Sequence, residues 1–190
     1  MIPVLETSRL ILRPFSLDDA KDVQRLAGDP KIAATTLAVP HPYLDGLAEA
    51  WIQTHQKRFN DGHGADWAIT LKSTRQLVGC MGLSIFKDHH RAEIGYWIAA
   101  DFWGQGICTE ASRATVDFAF QKLNLNKITA RHMSSNPASG KVMQKFGMIR
   151  EGVLLQDLLK NGRFEDSVVY GLTLDQYKNS QNSAKSHISF

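Results

Sequence analysis

Cysteine is nearly absent from this chain: two residues in 190, Cys80 and Cys108. A pair so far apart builds no disulfide framework and points to a reduced, cytoplasmic setting. Long apolar runs are missing too. No stretch approaches the roughly 20 residues that span a bilayer, and the first residues carry no signal-peptide pattern, which argues against a membrane partner. Charge of one sign is scarce. The balance of 22 Lys and Arg against 19 Asp and Glu leaves a net +3, too mild a field for a nucleic-acid binder but compatible with an anionic ligand. The adjacent His89 and His90 have no third ligand at metal spacing, so they read as a turn and no metal is expected. No internal repeat is visible.

What remains is an ordinary globular composition, 43% hydrophobic and 22% charged, in a length suited to one domain with a real core. Residues 9–13 alternate and read as a strand ending at Pro14. Ser16 and Asp19 form a weak capping box ahead of an apolar face of Ala20, Val23, Leu26 and Ala27, and Gly28-Asp29-Pro30 stops that helix. Residues 31–43 read as irregular. The pattern then predicts a helix over 45–59, strands over 66–72, 76–86 and 91–99, and a helix over 109–123. A strand over 127–133 and a helix over 138–146, ended by Gly147, follow. Two last strands, 151–159 and 164–172, flank Asn161-Gly162, the strongest hairpin signal in the chain. After Tyr177 the residues turn polar. A single domain over 1–177 and a disordered tail over 178–190 are therefore expected. The order β-α-α-β-β-β-α-β-α-β-β describes an α/β chain of the α+β type, with a mixed, mostly antiparallel sheet and helices on both faces. A doubly wound dinucleotide-binding domain does not fit it.

The most informative segment is Phe102-Trp103-Gly104-Gln105-Gly106-Ile107-Cys108-Thr109-Glu110-Ala111. It leaves the apolar strand Ile94-Gly95-Tyr96-Trp97-Ile98 and opens a helix. The first turn of a helix has N–H groups without internal partners and a dipole that favours negative charge, and glycine lets a ligand approach the backbone. This is an arrangement that suits a pyrophosphate, although by spacing alone a Gly-x-Gly turn also serves as a tight strand–helix connection. Ile107-Cys108 stands where a P-loop needs lysine and Ser or Thr, and the third glycine of a dinucleotide fingerprint is missing.

These residues, with Glu93 before the strand and Thr109-Glu110-Ala111 after the loop, resemble the acetyl-CoA-binding core of the GNAT superfamily of N-acetyltransferases. Glu6-Thr7-Ser8-Arg9-Leu10-Ile11-Leu12-Arg13 is similar to that family's opening strand. Asn136-Pro137-Ala138-Ser139, Lys145-Phe146-Gly147-Met148 and Glu151-Gly152 are similar to its second cofactor segment. The resemblance covers about residues 5–175, and the branch most resembled contains the ribosomal-protein N-terminal acetyltransferases. It implies a GNAT fold, acetyl-CoA as cofactor with CoA as product, and either a monomer or a homodimer. It further implies that backbone N–H groups of Gln105, Gly106, Ile107, Cys108 and Thr109 hold the pyrophosphate. The strand carrying Trp97, Ile98 and Ala99 would splay from strand 127–133 and pair with the pantetheine arm. The Asn136 side chain would bond that arm, and Ser139 would lie near the thioester sulfur. Two positions depart from the superfamily pattern: Trp103 replaces a Gln or Arg, and Cys108 a Gly or Ala.

The implied reaction is attack of an amine on the thioester carbonyl. It needs a neutral amine, a polarised carbonyl and a protonated leaving thiolate. A backbone N–H near Ile98 is the expected carbonyl donor, and Ser139 is the candidate acid, although a serine there also suits a helix N-cap. The base is the gap. Members of this branch place a glutamate where this chain has Leu158. The neighbouring Asp157 should point to the other face of its strand. Glu93 is an alternative base or a substrate-orienting carboxylate, and a lone strand histidine such as His132 is more often structural. A missing base is tolerable for one kind of acceptor. An α-amine is roughly 10–15% neutral at pH 7, a lysine well under 0.1%. The favoured acceptor, which the branch resembled implies, is a protein or peptide N-terminus. A small amine (polyamine, amino acid or antibiotic) is the alternative, and a silent acyl-CoA-binding module a third reading. Residues 32–43 and the loop around Asn161 should border the acceptor. Cys108, at a helix N-terminus, reads as a small packing residue whose pKa the helix could lower.

Overall fold

The computed structural model describes residues 1–186. The chain runs β1 (Leu5–Glu6), β2 (Leu10–Pro14), α1 (Ala20–Ala27), α2 (Pro30–Thr35), α3 (Leu47–Asn60), β3 (Gly64–Leu71), β4 (Leu77–Phe86) and β5 (Arg91–Ile98). It continues through α4 (Ile107–Gln121), β6 (Lys127–Met133), α5 (Pro137–Lys145), β7 (Ile149–Lys160), β8 (Arg163–Thr173) and α6 (Leu174–Ser186). One sheet takes the strands in the order β1-β2-β3-β4-β5-β6-β8-β7. Every neighbouring pair is antiparallel except β5 with β6, which are parallel and joined by the crossover helix α4.

Alternation along the strands sorts side chains onto two faces. On one face Trp67, Leu83, Ile94 and Ile128 pack with Val116 and Phe120 of α4 and Met143 of α5. On the other, Ala68, Cys80 and Trp97 pack with Val23 and Leu26 of α1 and Ile52 of α3. This second cluster draws on β3, β4 and β5 only, so α1 and α3 cover half of their face. The other half, over β6, β8 and β7, stays open.

Most predicted elements fall within two residues of the observed ones. The Ser16–Asp19 capping box is formed, and Asn161 (φ 49°) and Gly162 (φ 76°) make the two-residue hairpin with both φ positive. Three short or late elements differ. The two-residue β1 extends the sheet edge beyond β2. Pro30–Thr35 form α2, although residues 31–43 are expected to be irregular: the Asp29 carboxylate accepts from the Lys31 N–H (2.8 Å) and Pro30 is pre-set at the first helical position. The same Asp-Pro pair both stops one helix and starts the next. Helix α6 begins at Leu174 and crosses the expected boundary at residue 177. Its start is a Thr-x-x-Gln capping box, in which the Thr173 N–H donates to Gln176 Oε1 (2.9 Å) and the Gln176 N–H to Thr173 Oγ1 (3.3 Å). Tyr177 then stacks on Phe120 (4.8 Å between centroids) and donates to Asp117 (2.6 Å). Of the expected tail, residues 187–190 lie outside the described residues.

Candidate active site

The glycine loop has the expected shape. Gly104 (φ 76°) and Gly106 (φ 77°) both occupy the left-handed region, and nothing lies within 4 Å of where a Gly104 Cβ would be. Gly106 is the N-cap of α4, and no side chain caps the helix. The Glu110 N–H bonds the Gly106 carbonyl (3.0 Å), so the N–H groups of Ile107, Cys108 and Thr109 precede the helical ladder. The open cradle and uncapped helix start fit a pyrophosphate. The Gln105 side chain turns away, to the Asp101 carbonyl (3.1 Å).

The back of this loop is braced by the opening strand. Arg9 Nη1 donates to the Gln105 carbonyl (3.1 Å), and in a trans peptide that oxygen points opposite to the N–H of Gly106. Arg9 Nε donates to Glu110 Oε2 (2.7 Å). Glu110 Oε1 accepts from Thr7 Oγ1 (2.6 Å), Ser8 Oγ (3.0 Å) and the Arg9 N–H (2.9 Å). Burial alone would raise the Glu110 pKa. Four hydrogen bonds, led by Thr7, overcome burial and hold it down at about 2. The Thr-Ser-Arg triplet and Glu110 had shown only as family landmarks. Their pairing spans about a hundred positions and leaves no local signal.

β5 and β6 pair only from Arg91 to Glu93, against Lys127 to Thr129. Beyond Glu93 the two strands part, as expected. On β5 the Ala99 N–H is spent on the Val78 carbonyl (2.9 Å), towards β4. By alternation Ile98 presents its N–H and C=O to the gap. The indole Nε1 of Trp103 donates to the Ile98 carbonyl (2.6 Å), which gives the unusual tryptophan a purpose: it ties the loop back to the strand. Trp97 is buried among α1 and α3, so its ring faces the core rather than the gap. Cys108 packs against the core of the α4 face. Burial pushes its thiol up to about 12, with the nearby Ser112 hydroxyl only partly opposing, so desolvation outweighs the helix dipole that suggests a lowered pKa.

At the mouth of the gap lies the start of α5. The N-cap is Asn136, whose side-chain oxygen accepts from the Ser139 N–H (3.3 Å). Ser139 is thus not a cap. Its hydroxyl meets the Tyr96 hydroxyl at 2.9 Å. Asn136 Nδ2 donates to the Thr35 carbonyl (3.1 Å), and Lys160 Nζ to the Thr36 carbonyl (2.6 Å). The end of α2 is pinned from both sides of the site, in the segment expected to border the acceptor.

The open sheet face carries the charged candidates. Arg131 grips Glu93 with two bonds, Nε to Oε1 (3.0 Å) and Nη2 to Oε2 (3.1 Å), while its Nη1 lies 3.6 Å from Asp157. The strand register shifts between Leu154 and Leu158, and Gln156 takes φ 51°. This bulge overturns the simple alternation expected for Asp157 and brings it to the side of Arg131 and Glu93. Lys127 pairs with Glu151 (2.7 Å). Arg91, Glu93, Arg131 and Glu151, with Val153, Leu154 and Val169, line a cavity of about 350 Å³. Leu158 brings no carboxylate to the expected base position. His132 is on the other face: its Nδ1 lies 2.7 Å from the Met133 carbonyl, and its ring lies under Gly140 of α5 and beside Tyr170. Among the described residues no group of three His, Cys, Asp or Glu gathers in metal-binding geometry.

Residues 9–149 match the model of the acetyltransferase (GNAT) domain. The uncharacterised N-acetyltransferase YoaA of Bacillus subtilis is 32% identical over 175 residues, 90% of this chain and 97% of that protein. YdaF of the same organism, provisionally named a ribosomal N-acetyltransferase, is 30% identical over 161 residues, 81% of this chain and 87% of that protein. The spermidine N-acetyltransferase of Vibrio cholerae, solved with CoA and spermine, superposes with a TM-score of 0.77 at 23% identity. That match covers 90% of this chain and 99% of that one and is a likeness of fold.

Proposed function

The chain belongs to the GNAT acetyltransferase family and is an acetyl-CoA-dependent N-acetyltransferase, and we propose that its acceptor is the α-amine of a peptide or protein N-terminus. The observation that carries this reading is the pairing of charges on the open face. Glu93 is neutralised by Arg131 and Glu151 by Lys127. A cavity whose carboxylates are already paired offers little to a polycation, whereas an open, mixed polar and apolar face accommodates an extended peptide.

The residues divide the work as follows. The glycine loop and the start of α4 hold the pyrophosphate through backbone N–H groups. The Ile98 N–H, turned to the gap, is placed to polarise the carbonyl. Bound acetyl-CoA supplies an activated acetyl group. Ser139 Oγ–H is the proton source for the leaving sulfur. Both Glu93 oxygens are already engaged by the Arg131 guanidinium. The amine's proton therefore passes to water, a route open to an α-amine that is roughly 10–15% neutral at pH 7 and nearly closed to lysine. Thiol release from acetyl-CoA against short peptides, N-blocked peptides, lysine side chains, polyamines and aminoglycosides tests the reading. Turnover confined to free N-termini is expected. Turnover confined to polyamines or other small amines would overturn it.

A further inference from the structure

Tyr96 has no role in the scheme so far, yet its hydroxyl is the partner of the Ser139 side chain. Tyr96 is on β5, in the stretch where the strand has left β6, and Ser139 is in the first turn of α5, which follows β6. The bond between them therefore bridges the two arms of the gap. The Tyr96 oxygen lies 2.9 Å from Ser139 Oγ and 3.3 Å from the Ser139 carbonyl. Ser139 is held as well at its N–H, by the Asn136 side chain. Its place in the first turn of α5 is thus fixed, and only its hydroxyl rotor remains to be set.

A phenol carries one hydrogen, and a serine hydroxyl one hydrogen and two lone pairs. Both close neighbours of the Tyr96 hydroxyl belong to Ser139, so its hydrogen is directed to that residue. The phenol is the better donor and the alcohol the better acceptor. With the shorter contact filled from Tyr96, the Ser139 hydrogen has to look elsewhere, into the gap.

We propose that Tyr96 is a positioning residue: its phenol donates to Ser139 Oγ and so aims the serine hydroxyl hydrogen at the sulfur of the departing thiolate. This rests on the acetyl-transfer reading of the site and adds to it a residue on the opposite strand. In the step concerned, the amine nitrogen forms its bond to the carbonyl carbon and the C–S bond breaks. The Ser139 proton passes to sulfur, the amine's surplus proton goes to water, and Ser139 regains a proton from water. Tyr96 keeps its proton throughout. Burial, with the nearby Cys108, pushes its pKa above the ordinary tyrosine range, the Ser139 bond only partly opposing, so it remains a neutral donor.

The test compares Tyr96→Phe, Ser139→Ala and the double variant in kinetics and in CoA binding. Tyr96→Phe is expected to lower kcat about tenfold at unchanged KM for acetyl-CoA, since a freed rotor misdirects the proton without loosening the donor. Ser139→Ala is expected to cost about a hundredfold. The double variant should be no slower than Ser139→Ala alone, because Tyr96 acts through Ser139. A second readout needs no turnover. Titration calorimetry of CoA and desulfo-CoA from pH 6 to 9 should show wild-type affinity for CoA rising with pH relative to desulfo-CoA, and Tyr96→Phe should flatten that rise. A wild-type kcat in Tyr96→Phe, additive losses in the double variant, or an unflattened CoA profile would overturn the proposal. A lowered melting temperature with kinetics intact would also overturn it, by showing that the bond is only structural. If the wild-type chain binds CoA but acetylates no peptide, the acceptor reading fails while the calorimetric comparison still decides the role of Tyr96.

Discussion

Glu110→Gln removes one charge from the brace behind the glycine loop while keeping the side chain's shape. In the folded protein the Glu110 pKa is about 2, against an ordinary 4.5. Converted at 1.36 kcal/mol per unit, that difference corresponds to about 3 kcal/mol of stabilisation as an upper limit. The Arg9 side chain is 53% exposed and Glu110 17%. Solvent screens the pair, so about 2 kcal/mol is the better expectation. For a domain of this size that lowers Tm by about 4–8 °C at pH 7. The sign with pH follows from the direction of the shift. A carboxylate with a depressed folded pKa stabilises the fold above its unfolded value, and the benefit is lost as pH falls from about 4.5 towards 2. The gap between wild type and variant should narrow over that window. Arg9 also holds the Gln105 carbonyl, so the variant's affinity for CoA should fall about three- to tenfold as the loop loses its brace. Thermal melting at pH 7 and at lower pH, with calorimetry of CoA binding, makes the measurement. A variant that melts within a degree of wild type and binds CoA equally well would refute the reasoning.

Three further outcomes follow from the geometry. Gly106→Asp forces a side chain into a position at φ 77° and adds negative charge beside the pyrophosphate cradle; it should abolish CoA binding in a protein that still folds, as read by calorimetry and circular dichroism. His55 is buried between Trp51 and Phe15 with neither ring nitrogen bonded, and burial, helped by the Arg58 charge, lowers its pKa from 6.5 to about 4. The unfolded chain takes up that proton first, so stability present above pH 6.5 should be lost as pH falls towards 4, by up to about 3 kcal/mol, and His55→Leu should flatten urea midpoints across that range. Gly140→Ala would place a Cβ 2.7 Å from His132 Nε2 and 3.0 Å from the Tyr170 hydroxyl; denaturant unfolding should show a loss of about 1–3 kcal/mol.

The parts legible in the sequence were those set by neighbours along the chain. The Asn161-Gly162 hairpin, the Ser16–Asp19 box and the glycine loop are each specified by residues within a few positions of one another. α2 and α6 begin on local signals that also read otherwise: Asp29-Pro30 is both a stop and a start, and the Thr173/Gln176 box lies in a polar stretch. The catalytic neighbourhood was less legible. Ser139 was singled out by family likeness, but its partner Tyr96 is 43 positions away. Asp157 was assigned to the wrong face because alternation presumes a regular strand, and the bulge after Leu154 breaks that presumption. Glu93 reads as a candidate base because nothing in the sequence marks Arg131 as the residue that neutralises it.

By itself, then, the sequence determined the order of the longer elements, the anion-binding loop and the family, because turn chemistry, side-chain periodicity and helix capping act over spans of two to four residues. Tertiary structure decided the rest. The parting of β5 from β6 beyond Glu93, the brace from Arg9 and Glu110 across 101 positions, and the pairing of Glu93 and Asp157 with Arg131 all arise where distant segments meet. Burial and partners set the protonation of Glu110, His55 and Tyr96, and both exist only once the sheet has closed around them.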